Sequence, residues 1–188
     1  MDDLLLIKQT LNGNQQAFAA LVHRYKDMAY SIALRIVKDS QDAEEVAQDA
    51  FVKAYRSLNG FKGTAKFSTW LYSIVYHAAI SKARKKKRLV PLGPAEEENT
   101  PATGYDGDAM ASLSADERKT FVAQAMQTLH PIDATLLNLY YFDEQPVNEI
   151  AEITKMSVSN VKVRLHRARK QLHTALHQQL QSEIRSIL

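Results

Sequence analysis

Up to Arg88, apolar residues recur at steps of three and four. Leu4, Leu5, Ile7 and Leu11 form a short run, and Phe18, Leu21, Val22, Tyr25, Met28, Ala29 and Ile32 form a longer one. That period belongs to helices with one buried stripe. Gly13-Asn14 breaks the pattern between the two runs. A further helix is expected from Ser40, a residue type that caps helix starts, with Asp42, Glu44 and Glu45 complementing the positive end of the helix dipole. Its stripe is Val46, Ala50, Phe51, Tyr55 and Leu58, and it stops at Asn59-Gly60. The loop 59–67 reads NGFKGTAKF. Ser68 is the expected cap of the next helix, with Phe67 before it and Tyr72 after it spaced for a hydrophobic staple.

After Arg88 the periodicity lapses. Residues 89–112 hold three prolines, three glycines and an acidic triplet, the composition of a flexible linker. Order returns at Ser114-Ala-Asp-Glu117, an S-x-x-E capping box. Helical spacing then covers 115–129, 132–142, 147–153 and 158 onwards, and beyond Leu172 it continues through Leu176, Leu180, Ile184 and Leu188. No alternation of strand type persists. The expected fold class is all-α: two small helical domains, 1–88 and 114–188, joined by a flexible linker, 89–113.

Composition narrows the function classes. The chain has no cysteine, which excludes disulfides, thiolate metal sites and thiol catalysis. No window approaches 18 uninterrupted apolar residues, so no membrane span is expected. The start, MDDLLLIKQT, lacks the positive leader and apolar core of a signal peptide, and a cytoplasmic location is expected. No glycine-rich nucleotide loop and no H-E-x-x-H occurs. His173 and His177 have the i, i+4 spacing of metal ligands, but no carboxylate accompanies them, and they read as solvated histidines. No enzyme activity, cofactor or metal is expected.

The net charge is only +3, but its distribution is uneven. Residues 82–88, KARKKKR, carry six basic groups in seven positions, and residues 162–170, KVRLHRARK, carry five in nine. Such runs are commonly solvated surface. Two of them, each late in an expected helix, favour nucleic acid.

Residues 147–172, VNEIAEITKMSVSNVKVRLHRARKQL, fit a helix-turn-helix. Ile150, Ala151 and Ile153 form the inward face of the first helix. Ser157 caps the second, whose Val158, Val161 and Leu165 face inward. Ser159, Asn160, Lys162, Val163, Arg164 and Arg167 are left at the start or on the outer face, where a recognition helix meets base edges and phosphates. A small helical bundle with a basic surface is the alternative reading of this segment.

The stretch DAEEVAQDAFVKAYRSL at 42–58, followed by F-x-G-x-A-x-F-S-T-W-L at 61–71, resembles region 2 of the extracytoplasmic-function (ECF) sigma factors, and VKVRLHRARKQL at 161–172 resembles their region 4. The order and the linker length are also similar, so the resemblance spans essentially the whole chain. It implies a non-catalytic factor that binds core RNA polymerase and directs promoter-specific initiation at −10 and −35 elements. By resemblance, Glu45, Gln48 and Asp49 would meet the clamp helices of the β′ subunit; i, i+3 and i+4 spacing puts them on one face. The −10 element would be met by Asn59, Lys62, Lys66, Phe67, Ser68, Thr69 and Trp70, which would capture a flipped base, and by His77, Arg84 and Lys85. Trp70 fits a core position as well as a base pocket. The −35 element would be met by Ser157, Ser159, Asn160, Lys162, Val163, Arg164 and Arg167.

The resemblance further implies the β flap tip and an anti-sigma protein as partners. His77 and Ser81 stand where the family commonly has Asn and Asp, so the family's usual duplex contacts of that helix do not carry over to them, and Lys155 replaces a frequent Gly in the turn, at a cost of roughly 1 kcal/mol if the residue there is left-handed. Two rivals remain at this point: a helix-turn-helix regulator that never engages polymerase, and a silent adaptor that sequesters it.

Overall fold

The computed structural model describes residues 2–86 and 114–187, all of their regular structure helical. The linker expectation at 89–113 lies outside the described residues. By contacts the chain divides into two compact units. One is Met1–Pro91 together with Pro146–Met156; the other is Leu92–Gln145 together with Ser157–Leu188. Segment 146–156 therefore groups with the first unit, whereas the sequence pattern assigned it to the second half.

The first unit begins with α1 (Asp3–Leu11) and α2 (Gln15–Val37). The interruption at Gly13-Asn14 is a helix start: Asn14 caps α2, its side-chain oxygen accepting from the Gln16 and Ala17 amides at 3.0 and 3.3 Å. Helix α3 covers Ser40–Ser57, and a 3-10 turn, Leu58–Gly60, ends it. Its cap is Asp39, not Ser40: the Asp39 carboxylate accepts from the Asp42 amide at 3.0 Å. Helix α4 covers Phe67–Lys85, so Ser68 lies inside the first turn and is not the cap; Lys66 holds that position without a side-chain hydrogen bond. The two rings of the expected staple, Phe67 and Tyr72, are both buried. A short helix, α7 (Val147–Thr154), packs on α4.

Helices α2, α3 and α4 pack on one another, and α1 packs on α2. Leu21, Ile32, Ile36, Leu58, Leu71 and Val75 at their centre are all at most 2% exposed. Burying each such side chain contributes about 1.5–3 kcal/mol before conformational entropy is counted. Two polar clusters fasten the ends. The Asp3 carboxylate takes a hydrogen bond from the Tyr25 hydroxyl and pairs with Arg24, which ties α1 to α2. Asp42, only 4% exposed, accepts from Lys86 Nζ at 2.5 and 2.7 Å and lies 3.6 Å from Lys82, which ties α3 to the end of α4.

The second unit contains α5 (Ala115–Thr128), α6 (Pro131–Tyr141) and α8 (Val158–Ile187). The capping box forms as expected: Ser114 Oγ accepts from the Glu117 amide, and the Glu117 carboxylate accepts from the Ser114 amide. Helix α8 packs against both α5 and α6. Leu136, Leu137, Leu139, Val161, Leu165 and Ala168 form the core. The expected tail helix is the continuation of α8, with Leu176 and Leu180 half-buried.

Candidate nucleic-acid and polymerase interface

The loop between α3 and α4 is held by aromatic packing. Phe61, Phe67 and Trp70 pack mutually with centroids 5.4–5.8 Å apart, and Tyr25 adds a fourth ring 5.6 Å from Phe67. Phe67 is 3% exposed, so it backs the cluster and does not present itself to a ligand. That corrects its expected place on the contact surface. Phe61 and Trp70 are half-buried instead and line a cavity of about 310 Å³. Lys62, Thr64, Thr69 and Ser73 add polar groups, and Glu152 and Lys155 of α7 complete the wall. Cavities that hold small organic groups start near roughly 300 Å³. An apolar, ring-lined wall with hydroxyls and an ammonium is what an unstacked base requires.

The other −10 candidates spread from this cavity along α4. Asn59 and Lys66 are exposed and Ser68 is half-buried. Thr69 is buried, and its hydroxyl donates to Glu149 Oε2 at 2.7 Å. His77 is half-buried, with Nε2 lacking a hydrogen-bond partner among the described residues. Burial pushes its pKa below the usual histidine value; the charge of Lys155 pushes the same way, and the Ile153 backbone pulls it partly back. The hydroxyl of Ser81 turns back to the His77 carbonyl at 2.8 Å. Arg84 and Lys85 are exposed at the end of α4.

On α3, Glu45, Gln48 and Asp49 are all exposed, as the spacing requires. Glu45 is turned toward α4, where it meets Lys82 Nζ at 2.6 Å. That hydrogen bond is the main reason the Lys82 pKa lies above its ordinary value. Val52 and Tyr55 continue the exposed face, a pair of apolar residues that the charge pattern alone did not single out.

Ser157 caps α8 as expected, accepting from the Asn160 amide at 3.2 Å. Ser157, Ser159 and Lys162 are exposed, and Asn160, Val163 and Arg167 are half-buried. Arg164 departs from the expectation. It is 5% exposed and its guanidinium meets the Asp133 carboxylate of α6 at 3.2 Å. The side chain therefore faces the core of its unit and not the outer surface. Asp133 was the missed partner; a carboxylate in the first turn of an otherwise apolar helix is the signal that could have found it. Likewise, nothing in the spacing of Glu149, Glu152 and Lys155 pointed to the cavity.

Comparison with known proteins accounts for both units. Residues 21–89 match the family model for sigma-70 region 2, and residues 122–172 match that for sigma-70 region 4. This pair of regions, on helical units in this order, defines the sigma-70 class. Three relatives are similar over nearly their whole length. The ECF RNA polymerase sigma factor SigW of Bacillus subtilis is 37% identical over 90% of this chain and 94% of its own. The RNA polymerase sigma-H factor of Pseudomonas aeruginosa is 32% identical over 93% of each. The ECF RNA polymerase sigma-E factor of Escherichia coli K12 is 31% identical over 90% of this chain and 92% of its own. The fold is shared with CnrH, solved in complex with the cytosolic domain of CnrY, at a TM-score of 0.65 and 24% identity over 93% of this chain and 97% of that one. The chain belongs to the ECF sigma factors. Its function is accordingly promoter-directed transcription initiation with core RNA polymerase, and a regulator that never engages polymerase is not favoured.

Proposed function

We propose that the domains divide as the motifs do: 1–88 binds core polymerase and opens the −10 element, 89–113 links the two, and 114–188 reads the −35 element. The ring-lined cavity between the 60–65 loop and α4 carries this reading. A base extruded from the non-template strand enters against Phe61 and Trp70, with Thr69 near its edge. Lys62 and Lys66 meet the backbone, and Asn59 and Ser68 flank the entrance. His77, Arg84 and Lys85 continue the DNA path along α4. Melting consumes no fuel, because captured bases repay lost stacking at roughly 1–3 kcal/mol each. No step calls for a catalytic group, and we read the protein as non-enzymatic and cytoplasmic.

Gln48, Asp49 and Glu45 form the face for the β′ clamp helices, and the apolar Val52 and Tyr55 extend it. Ser157, Ser159, Asn160, Lys162, Val163 and Arg167 contact −35 DNA, and Arg164 positions α8 from inside. Tyr141 and Phe142, 52% and 67% exposed, give the second unit an apolar patch suited to a protein partner such as the β flap tip. An anti-sigma protein is a further partner; a structural neighbour, RpoE from Bartonella quintana, was solved with the anti-sigma factor NepR. Run-off transcription with core polymerase tests the reading. A promoter-specific product is expected, and binding to core without such a product on any template overturns it in favour of a silent adaptor.

A further inference from the structure

Residues 61–66, between the 3-10 turn and α4, follow no helix, so the wall that Phe61 gives the cavity depends on what the loop rests on. The loop backbone is tied where the Phe61 amide donates to the Leu58 carbonyl at 3.0 Å. Helix α1 supports it from outside by two routes. The first is direct. Helix α1 packs on the 3-10 turn, and a side-chain carbon placed on Gly63 would lie 3.8 Å from Leu4 Cδ2, an ordinary contact distance. Leu4 thus reaches the backbone where Gly63, at φ 69°, turns the loop. The second route runs through α2. The Asp3 carboxylate accepts from the Tyr25 hydroxyl and pairs with Arg24, so the phenol is held at its far end. The Tyr25 ring lies against Phe67 at 5.6 Å, and Phe67 packs on Phe61 and Trp70 at 5.8 and 5.7 Å. A ring fixed at its tip cannot swing about its side-chain torsions, and Phe67, 3% exposed, has no room to absorb such a swing.

We propose that Asp3, Leu4 and Tyr25 are positioning residues for the −10 cavity: α1 holds the Phe61–Phe67–Trp70 wall in the geometry that stacks on an extruded base, given the capture of such a base proposed above. Among the described residues, none of the three lines the cavity, so they act only through the rings and the loop. A binding wall has to be held within about 0.5 Å of its working geometry by the packing behind it. A loosened wall must be ordered at the moment of binding, and that cost is subtracted from the affinity for the base.

The test uses the full chain assembled with core RNA polymerase. The probe is a promoter fork with a single-stranded non-template −10 strand, taken from a template that gives a run-off product. Each −10 base in turn is replaced by an abasic residue. In the parent chain at least one position should lose on the order of tenfold in affinity, the stacking of one captured base. In Asp3→Ala and in Tyr25→Phe that penalty should fall to about threefold or less. The two changes combined should lower it no further than either alone, because the residues act through one contact. Leu4→Ala removes the other route and should lower the penalty further when added to Tyr25→Phe. Asp3→Asn still offers an oxygen to the Tyr25 hydroxyl and should keep most of the penalty. Asp27→Ala, an equal loss of charge on the exposed face of α2, should keep all of it. Both probes carry the same phosphates, so the ratio between them is insensitive to the lost negative charge. A variant that only loosened the fold would weaken both probes alike and leave the ratio unchanged. Core affinity should stay at the parent value. A penalty in Asp3→Ala and Tyr25→Phe as large as the parent's refutes the support by α1 and leaves the cavity's role standing. A parent chain with no abasic penalty at any −10 position removes the captured base, and the support by α1 with it.

Discussion

Arg164 lies on α8, the helix proposed to read DNA, but its charge is paired with Asp133. Removing one partner strands the other charge in a site where Arg164 is only 5% exposed, a change that costs about 3–5 kcal/mol. Arg164→Ala should therefore lower the urea midpoint sharply, whereas Arg167→Ala should alter stability by no more than about 0.5 kcal/mol and still weaken DNA binding. Similar midpoints for the two variants would contradict the inward role of Arg164. Tyr25 is a milder case. Burial and the hydrogen bond to Asp3 push its pKa up to about 12, so the phenol keeps the proton it donates. Tyr25→Phe should cost about 1 kcal/mol in equilibrium denaturation.

His77 adds a pH dependence whose sign follows from its burial. Its folded pKa is lowered, so the unfolded chain binds the proton more readily. The stability it contributes is present above the ordinary histidine value and is lost as pH falls through it. Lys155, Lys53 and Arg84 all face it with positive charge and act in the same sense. The melting temperature should drop between about pH 7.5 and 5.5, and His77→Gln should reduce that drop. An undiminished drop in the variant would place the titration elsewhere.

At the scale of elements, α2 and α7 both end on a lysine in the left-handed region: Lys38 at φ 54° and Lys155 at φ 59°. The Cβ of a non-glycine residue is strained there by roughly 1 kcal/mol. Lys38→Gly should raise stability by up to about 1 kcal/mol, read as a higher urea midpoint at unchanged slope. These helices were largely legible in the chain, because apolar spacing, the Ser114 capping box and the Ser157 cap are local signals. The cap of α3 was misplaced by one residue and that of α4 by two, for a local reason too: Asp39 and Lys66 adopt the extended cap geometry, while Ser40 and Ser68 already lie in the first turn. What spacing cannot carry is pairing between distant segments. The contact of Thr69 with Glu149 joins residues 80 positions apart, and that of Arg164 with Asp133 joins residues 31 apart. Periodicity separates the inner face of a helix from its outer face, but Arg164 sits at the border, where a partner on another helix decides which way it turns.

Across the whole molecule, two surfaces of opposite character have to act without interfering. The residues proposed to meet DNA are basic at the end of α4 in one unit and on α8 in the other, and the face of α3 proposed to meet polymerase exposes Gln48 and Asp49. If the basic stretches together neutralise about six phosphates, DNA affinity should fall by roughly 10³-fold between about 50 and 200 mM salt. Arg167→Ala should reduce the slope of that dependence by about one counterion and leave core binding intact. Replacing Gln48 and Asp49 by alanine should do the reverse, weakening the complex with core polymerase while the salt slope of DNA binding by the free chain stays the same. The two measurements are independent, because one reads counterions released from phosphates and the other a protein contact that releases few. A fall in core affinity of equal size in the Arg167→Ala protein would mean that the surfaces overlap, and the division of labour between the two units would fail with it.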